Sequence, residues 1–138
     1  MIVIDASALV KLIVDEPHSD FVRKKIEEET AKNEPIYAPD IILVEVSNVL
    51  WKYSEFKKLQ EVDLFGALED LIEYWNKLKI GAAQYLIKNA VKIAKENKLS
   101  VYDSLYLSQS LVYGAPLLSF DRKLMHMAER IGIKIITN

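Results

Sequence analysis

Ile2-Val3-Ile4-Asp5-Ala6-Ser7 opens the chain and decides how the rest is read. Three consecutive β-branched residues without polar alternation read as a strand buried on both faces. Asp5 falls where that strand ends. Ala6 to Val14 then carries a mixed helical pattern, which Asp15-Glu16-Pro17 stops. Outward from this start, apolar runs and helical patterns keep alternating. Ser19 to about Lys32 reads as a charged surface helix with a narrow stripe of Phe21, Val22 and Ile26. Pro35 to Pro39 is held extended by its prolines and has room for a short strand. Asp40 is suited to cap a helix from Ile41 to about Phe56, followed by one from Glu61 to Trp75. In the second of these, Phe65, Leu68, Leu71, Ile72 and Trp75 are spaced as one buried face.

Leu78 to Ile80 reads as a strand broken by Gly81. Ala82 to Asn97 is helical, with Leu86, Ala90 and Ile93 inward and Lys88, Lys92 and Lys95 on a solvated outer stripe. Val101 to Tyr113 is a helix that Gly114 stops. Pro116 to Phe120 is a strand, Asp121 to Arg130 a helix, and Ile133 to Ile136 a last strand. Strands separated by helices require crossovers, hence a mostly parallel sheet covered on both faces. The expected class is α/β, and the 138 residues fit a single domain, 1–138.

Composition narrows the functions. Apolar residues make up 51% and charged residues 28%, the balance of a globular domain rather than a disordered one. Eighteen basic against twenty acidic residues give a net charge of −2, so any nucleic-acid binding must come from a local patch. Without cysteine there is no disulfide, thiolate zinc site or cysteine nucleophile. The N-terminal residues lack signal-peptide character, and no apolar run has the length of a membrane span, so the expected location is cytoplasmic. The only histidines, His18 and His126, read as surface residues, which leaves little for serine–histidine catalysis.

Four carboxylates occupy apolar settings. Asp5 and Asp121 each follow an apolar run at the carboxyl end of an expected strand, where open parallel sheets form ligand sites. Glu45 lies mid-helix in Ile41-Ile42-Leu43-Val44-Glu45-Val46, and Asp103 lies in Val101-Tyr102-Asp103-Ser104-Leu105-Tyr106. Helix capping accounts for Asp5 and Asp121 locally, and Ser100 to Asp103 has capping-box spacing. A salt bridge or a solvated edge would account for Glu45. Brought together, however, four such groups must take up protons or bind a cation. Hard oxygen donors suit Mg²⁺ or Mn²⁺, and the chemistry that such a site supports best is phosphodiester hydrolysis.

The strand ending in Asp5-Ala6-Ser7, the mid-helix Glu45 in LVEVSNVL, the YDSLYL around Asp103 and the LLSFD ending at Asp121 resemble the PIN-domain nucleases, particularly the VapC-type toxin ribonucleases. The resemblance runs through essentially the whole chain in order and spacing. It implies a three-layer α/β/α sandwich around a parallel sheet of four or five strands, and a Mg²⁺- or Mn²⁺-dependent endoribonuclease. The family's acidic quartet falls on Asp5, Glu45, Asp103 and Asp121 as catalytic and metal-binding residues. Ser7, Asn48 and Ser119 fall on supporting polar positions.

Candidate RNA contacts are Lys11, Arg122 and Lys123, with Arg130 beside them and Lys52, Lys57 and Lys58 further out. The resemblance also implies a homodimer inhibited by a cognate antitoxin, and the aromatics Trp51, Tyr53, Phe56, Phe65, Tyr74 and Trp75 are available for interfaces, although core packing is the first explanation for Phe65 and Trp75. Two other readings remain open: a non-catalytic RNA-binding or scaffold module, and a housekeeping RNA-maturation nuclease.

Overall fold

The computed structural model describes residues 1–56 and 59–138. Lys57 and Lys58, named above as outlying basic residues, lie outside them. Among the described residues β1 (Ile2–Ile4) is the central strand of a five-stranded sheet, flanked by β2 (Ile36–Pro39) and β4 (Leu117–Leu118). The outer strands are β3 (Lys79–Gly81) beside β2 and β5 (Ile135–Ile136) beside β4. All four pairings are parallel, registered for example by Ile2 on Ile36 and Ile4 on Leu118. The unalternating apolar run of β1 has its physical reason here, since all three residues are buried between helical layers.

The helices are α1 (Ala6–Ile13), α2 (Ser19–Ala31), α3 (Ile42–Glu55), α4 (Glu61–Lys77), α5 (Ala83–Asn97), α6 (Val101–Tyr113) and α7 (Arg122–Arg130). The chain leaves β1 toward β2 and β3 through α1–α4, then returns through α5 and α6 to β4 on the other side of β1. Right-handed crossovers in opposite directions put these two groups of helices on opposite faces of the sheet. The architecture is the expected α/β/α sandwich. Its direction reverses between β1 and β4, where the carboxyl ends of the strands open a crevice.

Several local expectations change. Asp40 does not cap α3, whose Ile41 cap position makes no side-chain bond. Its Oδ2 instead accepts from Ala83 N at 3.1 Å, supplying the N-terminus of α5 with the acceptor that Ala82 lacks. Gly81 lies within β3 rather than breaking it, and β4 is shorter than the apolar run of Pro116 to Phe120. On α4, Leu71 and Ala67 are buried, but Phe65 is 60% and Ile72 54% exposed. The inward face is Leu64, Ala67, Leu68, Leu71, Tyr74 and Trp75, because the helix turns its seam toward α3 and the core. No helix among the described residues is long and apolar enough to cross a membrane.

Candidate active site

Asp5 stands at the carboxyl end of β1, only 3% exposed, and caps α1. Its Oδ1 accepts from Ala8 N at 3.0 Å and from Ser7 Oγ at 2.7 Å, and its Oδ2 accepts from Ser119 Oγ. Each serine is also an acceptor: Phe120 N donates to Ser7 Oγ at 2.8 Å and Asp121 N to Ser119 Oγ at 3.0 Å. The two hydroxyls therefore tie the turn after β4 to the carboxylate after β1. Burial raises the Asp5 carboxyl to about 6, against the lowering effect of the Ser119, Ser7 and Ala8 bonds, and the Asp121 charge adds to the rise.

Asp121 caps α7 through a 3.1 Å bond from Leu124 N and is exposed to solvent. Both Asp5 and Asp121 are therefore helix caps, as their local sequence allows. Asp103 lies in the first turn of α6, whose Ser100 cap accepts from Asp103 N at 3.1 Å. Its carboxyl is raised by burial and then by Asp121, with Ser100 and Lys123 acting the other way. Glu45 is half-buried on α3 and is raised chiefly by burial; a bond from Tyr106 lowers it and Asp103 adds to the rise. Charge repulsion links them in pairs, Asp103 acting on Glu45 and Asp121 on both Asp103 and Asp5.

Among the described residues no three acidic or histidine side chains form a ready-made metal cluster. The donor chemistry nevertheless fits a hard divalent cation, because Asp5, Glu45, Asp103 and Asp121 are oxygen donors without a salt-bridge partner among the described residues. Lys123 is the basic residue whose field reaches Asp103, and Arg122 is exposed beside it. Lys11 is matched within the chain, bound to Glu16 at 3.0 Å and lying over the Phe120 ring. Asn48 is exposed one turn beyond Glu45. His18 is exposed as expected but stacks on Phe120, with ring centroids 5.2 Å apart.

Sequence reasoning gave no role to Tyr106. It is 2% exposed and donates its phenol to Glu45 Oε1 at 2.9 Å. The available signal was its spacing, three residues after Asp103 and so on the same helical face. A cavity of about 930 Å³ lies elsewhere, lined by Leu9, Leu12, Ile26, Tyr74 and Leu78 among others, and contains none of the four acids.

The PIN domain family model matches residues 2–130. This chain is a PIN-domain protein. It is 31% identical to Ribonuclease VapC3 of Pyrobaculum aerophilum over 123 residues, covering 89% of this chain and 91% of the relative. Two solved structures share its fold. VapC20 of Mycobacterium tuberculosis, described as a sarcin-ricin loop cleaving toxin, superposes with a TM-score of 0.68 at 13% identity over all of both chains. VapBC2 of Rickettsia felis, bound to a DNA fragment from their promoter, gives 0.67 at 19% identity over 100% of this chain and 98% of that one. In this chain the adjacent strands β1 and β4 set the Asp5 and Asp121 segments, far apart in sequence, side by side.

Proposed function

We propose that this PIN-domain protein is a divalent-metal-dependent endoribonuclease and the toxin of a toxin–antitoxin pair. The observation that carries the reading is geometric: Ser7 and Ser119 tie Asp5 at the end of β1 to the turn that carries Asp121, while Glu45 and Asp103 stand in the first turns of α3 and α6. Membership of the PIN family and homology to a protein named Ribonuclease VapC3 support the choice of RNA. A pocket of uncompensated carboxylates repels a phosphodiester, so substrate approach calls for a cation. Asp5, Glu45, Asp103 and Asp121 would hold Mg²⁺ or Mn²⁺, which when bound supplies an acidified water and charge stabilisation at phosphorus.

The protein's own groups do the rest. Ser7 and Ser119 fix both oxygens of Asp5, so the carboxylate is oriented before substrate arrives. A carboxylate among the four accepts the proton of the attacking water, a task suited to groups whose affinity for protons burial has raised. Arg122 and Lys123 hold the RNA backbone by its phosphates. Exposed apolar side chains on α3 and α4, including Trp51, Phe65 and Ile72, support a homodimer, and the VapC likeness supports a cognate antitoxin as partner.

Cleavage of single-stranded RNA by the wild type and by Asp103→Asn in Mn²⁺ tests the reading. Cutting by the first and not by the second is expected. Retained RNA binding with no cleavage by either would instead favour the scaffold module, and a nuclease that no neighbouring gene product inhibits would favour housekeeping RNA maturation.

A further inference from the structure

We infer that Tyr106 is a positioning residue for the acidic site, acting through Glu45 and leaving Glu45 Oε2 as the oxygen turned to the shared pocket. The inference rests on the nuclease reading above and deepens it. Tyr106 belongs to α6 and Glu45 to α3, 61 residues apart, and the phenol bond of 2.9 Å is the hydrogen bond that Glu45's carboxylate makes among the described residues. Glutamate has three rotatable side-chain bonds, and Glu45, which stands in the first turn of α3 rather than mid-helix, accepts no backbone N–H among the described residues that would fix its head. Asp5, by contrast, is held by three donors.

The phenol is well suited to the task. Its ring is buried, so the hydroxyl cannot swing to solvent, and a buried hydroxyl without a partner would be costly. Phenol and carboxylate therefore fix each other. One donor to Oε1 leaves Glu45 Oε2 without a hydrogen-bond partner among the described residues. Groups that orient a metal-binding carboxylate in this way commonly change affinity or activity roughly 10- to 100-fold when removed.

The test is a double-mutant cycle of Tyr106→Phe and Glu45→Gln, both of which keep side-chain volume. Mn²⁺ affinity is read by titration calorimetry on the metal-free protein, and steady-state RNA cleavage is read beside it. Tyr106→Phe should weaken Mn²⁺ binding and lower kcat roughly tenfold or more with KM for RNA unchanged. In the Glu45→Gln background it should add nothing to either loss. Equal losses in both backgrounds, or a changed KM with an unchanged kcat, would show a structural role and overturn the inference while leaving the nuclease reading intact. A Glu45→Gln protein that binds Mn²⁺ and cleaves as the wild type does would overturn the reading, and the inference with it.

Discussion

Ser119 donates its hydroxyl proton to Asp5 Oδ2, joining residues 114 positions apart across the adjacent carboxyl ends of β4 and β1. Ser7 makes the matching bond to Oδ1, and each serine accepts a backbone N–H from the turn that carries Asp121. A buried carboxylate is thereby tolerated, but it is not made comfortable. Its raised affinity for protons means that ionising Asp5 opposes folding of the metal-free protein.

The pH dependence follows in sign. Between its ordinary value near 3.8 and about 6, folded Asp5 binds more protons than unfolded Asp5, so metal-free stability falls as pH rises through that window. Asp5→Asn removes this slope. Urea unfolding in chelator should show the variant gaining on the order of 2 kcal/mol relative to the wild type between pH 4 and pH 6.5. A constant difference between the two proteins would contradict the cause given for the shift.

Asp5→Ala should behave oppositely to Asp5→Asn at neutral pH. It removes the α1 cap and strands the Ser7 and Ser119 hydroxyls, so about 1 kcal/mol or more of stability should be lost along with cleavage. Thermal unfolding of the two variants side by side separates the capping contribution from the charge contribution.

Gly81→Ala should destabilise the fold by about 1–3 kcal/mol without touching the acids. An added Cβ would stand 2.7 Å from Gln109 Nε2 and 3.1 Å from Leu86 Cδ1. Gln109 is fully buried, with neither side-chain atom partnered among the described residues, and has little room to yield. Chemical denaturation checks the loss, and RNA cleavage below the melting transition should remain near that of the wild type.

The exposed apolar residues of α3 and α4 set the expectation for assembly. Light scattering should give a mass near twice 15.8 kDa, and Phe65→Glu with Ile72→Glu should shift it toward the monomer. A concentration-independent mass of one chain in the wild type would mean that these side chains need no partner.

Much of this arrangement was legible in the residues because strand and helix leave different periods. Ile2 to Ile4, with no alternation, gave a buried central strand, and Gly114 marked the end of α6 at a positive φ of 61°. The acids at strand ends were readable for the same reason, since a parallel sheet gathers those ends. Long-range partners were not readable. Asp40 looks like the cap of the helix beside it, yet bonds to Ala83 across β3, a choice made by sheet register rather than by local sequence. Phe65 and Ile72 fit helical spacing as well as their buried neighbours do, and only the docking of α4 decides which side turns inward. Tyr106 was given no role because nothing in its own segment names Glu45.

Cleavage of single-stranded RNA by the purified wild-type protein, followed in excess EDTA and again after adding back Mg²⁺ or Mn²⁺, tests the central claim most directly. The carboxylate pocket and the lack of a cysteine nucleophile predict no cutting in EDTA and recovery on addition of either metal. Undiminished cutting in EDTA would contradict the account.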